Sequence, residues 1–305
     1  MEILKWFEEL RNPLLDTFFL GVTQLGEETI FILIGLLFFW CISKKQGYYI
    51  LAVGFMGTVI NQFLKLLFRV PRPWVRDPGF TIVEGAQEEA AGYSFPSGHT
   101  QAAVGVFGSV ARLSKKRVVR MLCMAVCVLV SLSRMYLGVH TSLDVGVSLV
   151  IAMVLIFGLY PVLNRAVENP KQMRCFLGAM TGLSVFYFLF VRSYPFPANV
   201  DPENLAHGVE NGCKMLGCVL GLWLAYEVDE WYTHFKTEAV WWVQVLKLVL
   251  GLIPILAIRA GLKAPLHGLF SGSCLADGIR YFLLTAFAGA VWPLTFPFFV
   301  KLSKR

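Results

Sequence analysis

Long apolar segments alternate with short polar connections along almost the whole chain. Segments of roughly 20 apolar residues are long enough to cross a bilayer as helices, and this pattern predicts about nine spans. Their approximate bounds are 20–42, 48–68, 98–113, 118–137, 143–163, 174–192, 208–226, 241–258 and 279–300. The third and seventh are rich in small or polar residues, which packed helices use at their contacts in lipid. The sequence therefore predicts an all-α fold, a polytopic transmembrane helical bundle.

The first residues follow a different pattern. In 1–16, apolar residues such as Leu4 and Phe7 recur among charges at helical spacing, which is typical of a short amphipathic helix on a membrane surface. This start is acidic and has no basic segment followed by an apolar core, so we expect no cleavable signal peptide. No internal repeat or low-complexity linker interrupts the chain, which predicts a single structural domain.

The composition excludes an ordinary soluble domain. With 56% hydrophobic residues, 15% charged residues and a mean hydropathy of +0.63, the chain has more apolar surface than a soluble fold buries. Its net charge of +7 comes from basic residues in short loops, which indicates membrane topology and not a nucleic-acid partner. The seven cysteines have no metal-type spacing and are interpreted as small packing residues.

Basic residues mark one side of the predicted bundle. They follow the first, third and fifth spans and end the chain: Lys44, Lys45, Arg112, Lys115, Lys116, Arg117, Arg120, Arg165, Lys171, Arg174, Lys301, Lys304 and Arg305. By the positive-inside rule this side is cytoplasmic, and the acidic loop 227–240 on the same side counts for little in that rule. We therefore expect the opposite loops on the non-cytoplasmic face of the cell membrane in a bacterium, or of the endoplasmic reticulum in a eukaryote.

Three polar segments lie at that non-cytoplasmic face. The first holds Lys65 and Arg72 near the end of the second predicted span. Basic residues beside a span often only reach toward lipid headgroups, and we interpret Arg69 and Arg76 in that way. An ammonium and a guanidinium that converge are suited to a phosphate.

The second segment, Ser97-Gly98-His99, opens the third predicted span. A helix N-terminus exposes backbone N–H groups to an anion, Gly98 permits a close approach, and Ser97 can add a hydroxyl. A capping serine beside a histidine is common. The other two segments are what make an anion site the better interpretation.

The third segment holds Arg134, His140 and Asp144. In a helix, His140 and Asp144 would share one face, with Asp144 accepting a hydrogen bond from one imidazole nitrogen and making the other more nucleophilic. A structural histidine–carboxylate pair is the alternative.

Two histidines and a carboxylate could instead hold a metal. Because Lys65, Arg72 and Arg134 would repel a divalent cation, we favour a bound polyanion and keep metal as a minor alternative.

Together these segments resemble a known family. The patterns Lys65-x6-Arg72-Pro73, Pro96-Ser97-Gly98-His99 and Ser133-Arg134-x5-His140-x3-Asp144 are similar to the three signature motifs of the type 2 phosphatidic acid phosphatase superfamily. That superfamily includes lipid phosphate phosphatases, glucose-6-phosphatase, bacterial polyprenyl diphosphate phosphatases and the soluble vanadium haloperoxidases. The motifs lie between 65 and 144, so the spans after about 165 receive no functional role from the resemblance.

The resemblance implies a membrane phosphatase that needs no metal or other cofactor. His140 would attack phosphorus to form a phosphohistidine, oriented by Asp144, while His99 would protonate the leaving alkoxide and then activate water. The implied ligands of the phosphoryl oxygens are Lys65, Arg72, Ser97, Gly98 and Arg134. The implied partners are membrane lipids and a lipid phosphate substrate: phosphatidate, a sphingoid-base phosphate or a polyprenyl diphosphate.

With the amphipathic segment 1–16 as an interfacial region, the resemblance implies a six-span phosphatase core at 17–165 and additional spans at 166–305, within a single structural domain. Glu27 and Glu28 are costly at membrane depth. We expect at least one of them to line a wet cavity or to pair with a cation, with Lys214 and Arg192 as candidates.

For one histidine and several acidic residues outside the motifs, the sequence gives only weak evidence of a functional role. His207 and Glu210 lie near the motif face and are interpreted as a polar helix start. Glu84, Glu88 and Glu89 could shape the entrance, but are interpreted as solvated loop charges.

Other functions stay open at this point. A transporter or flippase for phosphorylated lipid fits the number of spans, although it would not need two histidines and an aligned Asp144. Haloperoxidase-like oxidation with vanadate fits the fold, but those relatives are soluble. A water-soluble sugar phosphate could also reach the same face.

Overall fold

The computed structural model describes residues 1–87, 90, 92–198 and 200–303, and every regular element within these ranges is a helix. The α-helices are α1 (Glu2–Glu9), α2 (Pro13–Thr23), α3 (Glu28–Leu37), α4 (Lys44–Phe68), α5 (Pro73–Arg76), α6 (Gly98–Leu113), α7 (Arg117–Tyr136), α8 (Ser142–Ala166), α9 (Pro170–Ser193), α10 (Pro202–Val228), α11 (Trp241–Gly261), α12 (Lys263–Leu269), α13 (Leu275–Ala286) and α14 (Phe296–Leu302). Short 3₁₀ or π-helical segments occupy Gln24–Gly26, Phe38–Ile42, Asp229–Thr233, Phe287–Val291 and Trp292–Thr295. The all-α prediction is confirmed.

Local sequence sets several helix starts. The side chains of Asn12 and Asn169 accept hydrogen bonds from first-turn N–H groups of α2 and α9, and a proline follows each of them. Both features favour a helix start at that point. Ser97 caps α6 in the same way, so the second motif stands at a helix N-terminus as the sequence predicts.

The chain is a multi-pass membrane protein, with fewer candidate spans than predicted. Six helices in the described ranges are long and apolar enough to cross a membrane, or up to seven if Pro13–Gly26 and Glu28–Ile42 form one span bent by 50°. The third and seventh predicted spans, α6 and α10, are not among them. The 16 residues of α6 make a helix of roughly 24 Å, shorter than a bilayer core of roughly 30 Å. Charged residues interrupt the apolar sequence of α10.

The chain forms two compact units. The first contains Met1–Ile34, Tyr49–Val162 and Phe196–His207, and the second contains Gly35–Tyr48, Leu163–Pro195 and Gly208–Arg305. All three motifs belong to the first unit. The single domain and the bounds at 17–165 and 166–305 stay predictions, although the chain leaves the first unit after Val162, close to the predicted boundary.

In the first unit, a hydrophobic cluster supports the part of the third motif that joins the end of α7 to His140. Its buried members are Val83, Ala86, Ala90, Tyr136, Leu137 and Val139. α1 packs beside this cluster: Leu4 is buried and Trp6 exposed, while the Phe7 ring lies 6.1 Å from that of Tyr136. The amphipathic helix is therefore present. It is shorter than 1–16 because Asn12 starts a new helix.

In the second unit, acidic residues at the end of α10 and directly after it pair with basic residues from other elements. The Arg174 guanidinium donates to both carboxylate oxygens of Glu227, at 2.8 and 2.7 Å, and Lys44 Nζ lies 2.6 Å from Asp229. The acidic loop thus neutralises basic residues that mark the same predicted side. Lys304 and Arg305 lie outside the described residues, and the orientation stays a prediction.

Candidate active site

His140 lies in the short connection between α7 and α8. The carbonyl of Arg134 accepts the N–H groups of Val139 and His140, each at 3.2 Å. Gly138, which directly precedes Val139, has a φ of +83°. A Cβ atom at Gly138 would lie 2.8 Å from the Arg11 guanidinium. Glycine is therefore needed for both conformation and space, and this turn fixes where the His140 side chain begins.

Arg72 holds the His140 imidazole, with Nη1 of Arg72 2.9 Å from Nε2 of His140. A guanidinium can only donate, so Nε2 accepts and the ring proton lies on Nδ1. His140 is 1% exposed. Burial, with the nearby cations Arg72, Arg134 and Lys65, holds the pKa of His140 well below its usual value. The ring is therefore neutral near pH 7 with its lone pair on Nε2, which is the nucleophilic form of imidazole.

Asp144 lies in the first turn of α8, and its Oδ2 is 3.7 Å from Nδ1 of His140. This is an ion-pair distance and too long for a hydrogen bond. The same oxygen accepts bonds from Ser94 Oγ at 2.6 Å and Thr141 N–H at 2.7 Å. The expected pairing on one helix face needs correction because α8 begins at Ser142, after His140. Ser94 was not predicted, because a lone loop serine has no sequence relation to Asp144.

Three buried cations lie around His140. One hydroxyl and several backbone carbonyls anchor them: Lys65 Nζ to Tyr93 O (2.8 Å), Arg72 Nε to Gly92 O (2.9 Å), Arg72 Nη1 to Val139 O (2.9 Å) and Arg134 Nη1 to Thr23 Oγ1 (2.6 Å). With Asp144, these four side chains carry three positive charges and one negative charge, a formal excess of +2. Buried charge in excess is costly unless an opposite charge joins it. The site therefore suits a dianionic phosphate group.

Hydrogen bonds join the second motif to the third. Ser97 N–H donates to the Asp144 carbonyl at 3.2 Å, and Ser148 Oγ donates to the Ser97 carbonyl at 2.8 Å. Ser97 Oγ accepts the Thr100 N–H, and Gly98 follows as the first residue of α6. The start of α6 is thus held against the first turns of α8, while the phosphate-binding roles of Ser97 and Gly98 stay predictions.

His99 is paired with a carboxylate from outside the motifs, since its Nε2 lies 2.8 Å from Oε1 of Glu27. Lys214, an expected partner of the acidic pair, instead lies 2.6 Å from Glu210. Both Glu27 and Glu28 line a cavity of about 190 Å³. A cavity was the other setting we expected for these two residues.

A groove of about 850 Å³ opens beside Arg72, and His207 is among the residues that line it. His207 therefore belongs to the surroundings of the site.

Glu84 is exposed in the loop after α5, and Glu88 and Glu89 lie outside the described residues. In the described part of the chain, no group of three or more His, Cys, Asp or Glu side chains is placed to hold a metal ion. The groove gives an anion a path to Arg72.

Two family models match the chain. Residues 45–168 match the PAP2 superfamily, and residues 213–305 match the PAP2 superfamily phosphatase transmembrane extension. The first match contains all three motifs. The second lies in the C-terminal spans, to which the motifs assign no role.

Individual proteins are similar to this chain. A probable sphingosine-1-phosphate phosphatase of Dictyostelium discoideum is 28% identical over 239 residues, which are 73% of this chain and 57% of that protein. Phosphatidylglycerophosphatase B of Bacillus subtilis is 31% identical over 149 residues, 45% of this chain and 69% of that protein. The crystal structure of a PAP2-type phosphatidylglycerolphosphate phosphatase from Bacillus subtilis matches with 28% identity and a TM-score of 0.44, over 51% of this chain and 80% of that one. This chain spans about half the length of several curated relatives, namely 57%, 56% and 56%.

Proposed function

This chain belongs to the PAP2 superfamily, and we propose that it is a membrane phosphatase that hydrolyses a lipid-linked phosphate monoester or diphosphate through a phosphohistidine intermediate. The observation that carries this proposal is the contact between Arg72 and Nε2 of His140 inside a buried site with excess positive charge. A nucleophile and an anion-binding group are in direct contact there. A phosphate oxygen that replaces Nε2 as the acceptor of this Arg72 hydrogen bond frees the Nε2 lone pair and brings its phosphorus next to it.

The first half of the reaction transfers the phosphoryl group to the protein. Nε2 of His140 attacks phosphorus, the bond from phosphorus to the lipid oxygen breaks, and His99 gives a proton to that oxygen. Lys65, Arg72 and Arg134 stabilise the charge on the phosphoryl oxygens in the transition state. Nδ1 of His140 gains positive character as the new bond forms. Asp144, 3.7 Å away, stabilises it.

The second half of the reaction regenerates the protein. His99, now neutral, takes a proton from a water molecule, which attacks the phosphohistidine. The phosphorus–nitrogen bond breaks and the electron pair returns to Nε2 of His140. Inorganic phosphate is the product, and both histidines recover their starting states.

The substrate class rests on the membrane setting and on the relatives. The names of two relatives state lipid phosphates, a sphingosine phosphate and a phosphatidylglycerophosphate. Phe68, the last residue of α4, lines the groove together with Arg72, and this supports entry of a phosphate at headgroup level while its chain stays in the bilayer. We place this face on the non-cytoplasmic side because the basic loops lie at the other helix ends.

The test is phosphate release by the purified full chain in detergent with EDTA. The substrates are phosphatidate, a sphingoid-base phosphate, a polyprenyl diphosphate and glucose 6-phosphate. We expect EDTA-resistant turnover of a lipid phosphate that is lost in His140→Asn. His234→Asn is the matched control, because His234 is exposed and has a φ of +39° that asparagine tolerates. Turnover that survives in His140→Asn, or a folded wild type inactive on all four substrates, would refute the proposal.

A further inference from the structure

The bent helix pair brings a carboxylate to His99. Glu27 lies at the break between Gln24–Gly26 and α3, where the two parts of the chain meet at 50°. Its own backbone is extended, with φ −71° and ψ 148°, and its carbonyl accepts the N–H of Ile30 at 3.1 Å. Glu27 therefore caps α3, and its position is fixed by backbone structure.

Gly26 makes the close approach to His99 possible. A Cβ atom on Gly26 would lie 3.0 Å from both the Cβ and the carbonyl oxygen of His99. The break is thus packed directly against the first turn of α6. With the backbones this close, Oε1 of Glu27 reaches Nε2 of His99 at 2.8 Å.

The cavity next to this pair is polar. Asn61 and Gln101 line it, and both side chains are buried, at 2% and 3% exposure. Within the described residues, neither side-chain amide has a hydrogen-bond partner. Amide groups in such a cavity can bind a carboxylate, water or a polar ligand, so Glu27 can carry its charge here although the surrounding helices are apolar.

The charges around His99 explain why a carboxylate is needed beside it. A general acid must hold a proton before the bond to the leaving group breaks, and a protonated imidazole is a cation. His99 shares the surroundings of His140 with Lys65, Arg72 and Arg134. A fourth positive charge there is unfavourable unless a negative charge lies beside it.

We propose that Glu27 is a positioning residue of the reaction, which orients His99 and stabilises its protonated form so that the other ring nitrogen can protonate the leaving oxygen. This inference rests on the proposed phosphatase function and adds to it a residue outside all three motifs. With Nε2–H bonded to Glu27, Nδ1–H is the proton that moves to the lipid oxygen. The neutral ring keeps its bond to Glu27 and offers Nδ1 to water in the second step.

The test uses two phosphate esters that differ in their need for an acid. A lipid phosphate leaves as an alkoxide and needs a proton, whereas p-nitrophenyl phosphate leaves as a stable phenolate and does not. Because kcat/KM covers the steps up to loss of the leaving group, it isolates the step that His99 assists. In Glu27→Gln we expect kcat/KM for the lipid phosphate to fall about 10- to 100-fold and that for p-nitrophenyl phosphate to fall less than about threefold.

Three further variants complete the design. Glu28→Gln makes the same chemical change one residue away and should match wild type on both esters. Glu27→Asp keeps the carboxylate and should recover part of the lost lipid phosphatase activity. In a His99→Asn background, Glu27→Gln should cause no further loss, because its effect acts through His99.

Several outcomes would overturn the inference. Equal losses on the two esters would indicate a structural role for Glu27, as would an additive loss in the double variant. An unchanged rate on the lipid phosphate would exclude any role. Should Glu27→Gln fail to fold, Glu27→Asp is judged by the same ratio between the two esters. A folded wild type that hydrolyses neither ester would instead refute the proposed function.

Discussion

Two histidine–aspartate pairs in this chain differ in how their charges are balanced. In the second unit, Asp277 accepts a bond from the Arg280 guanidinium, and its other oxygen lies 3.0 Å from Nε2 of His267. One buried carboxylate thus meets one buried guanidinium. In the first unit, Asp144 is bonded to a hydroxyl and a backbone N–H, while the buried cations stay in excess.

This difference separates a structural polar cluster from a binding site. A buried pair with matched charges contributes to the fold when its hydrogen bonds are complete. A buried excess of charge costs stability, so we expect it where a ligand of opposite charge restores the balance. We therefore expect no ligand at the pair in the second unit and an anion at the pair in the first unit. Four measurements can test this contrast.

Replacing one arginine in each unit is expected to give the largest effects. Arg72→Met should lower kcat/KM for the lipid phosphate about 10³-fold and lower the melting temperature much less than Arg280→Met does, because the removal of excess charge offsets the loss of its bonds to two carbonyls. Arg280→Met should leave turnover within about threefold and lower the free energy of unfolding by about 3–5 kcal/mol, because Asp277 is left buried without its guanidinium. Stability is measured by thermal unfolding in detergent, and turnover is measured by phosphate release. Equal destabilisation by the two changes would contradict the contrast.

The second measurement asks whether an anion restores the balance. Inorganic phosphate at about 100 times its Kd should raise the free energy of unfolding by about 2.7 kcal/mol. The increase should persist in Arg280→Met and shrink in Arg72→Met. Melting temperatures are compared with those in chloride of equal ionic strength. The same increase in both variants would place the phosphate elsewhere.

The third measurement uses pH. The pKa of His140 is lowered in the folded protein by burial and by Arg72, Arg134 and Lys65, so below about pH 6.5 the unfolded chain binds a proton that the folded chain excludes. Stability from this group is complete above that pH and is lost as pH falls, by at most about 1.4 kcal/mol per pH unit.

The check on this pH effect is a comparison of variants. His140→Asn should lose less stability than wild type between about pH 7 and about pH 5.5, as measured by melting temperature. His234→Asn should behave as wild type. A steeper pH dependence in His140→Asn would reverse the predicted sign.

The smallest expected effect concerns how Asp144 is held. Ser94→Ala removes the hydroxyl that donates to its carboxylate at 2.6 Å, which should cost about 1 kcal/mol and lower kcat a few-fold. Ser131→Ala is the matched control, because Ser131 is also buried but donates to the Cys127 carbonyl within α7. If both variants lost activity equally, the Asp144 contact would not be the cause.

Sequence reasoning succeeded where the site is built from helix ends. Lys65, His99 and Asp144 lie in the last turn of α4 and the first turns of α6 and α8. Helices that alternate in direction through one bundle bring such ends to the same face, so motif order and apolar spacing were enough to predict that these residues gather. The placement of Arg72 at Nε2 of His140 needed the structure, because it depends on the turn at Gly138.

The sequence did not predict contacts that depend on the path of one loop or the angle of one bend. Glu27 contacts His99 only because the helix pair bends beside Gly26. A glycine followed by two glutamates in the sequence does not reveal the angle of that bend. Ser94 reaches Asp144 through a loop path that no periodicity describes. Two of the nine predicted spans, α6 and α10, are helices as predicted but are not among the candidate spans of the described ranges, because α6 is short and charged residues interrupt α10.

The buried cations of the site are anchored largely by backbone carbonyls, and this bears on how the protein can change over evolution and in the laboratory. Lys65 donates to the carbonyl of Tyr93, and Arg72 donates to the carbonyl of Val139. Every amino acid supplies the same carbonyl oxygen, so position 93 can change its side chain without losing this anchor, whereas Val139 is held by its packing in the buried hydrophobic cluster. Variation in the groove wall at Tyr93 is thus separable from the chemistry. If the proposed function holds, a library at position 93 should change substrate preference more than it changes the chemical step.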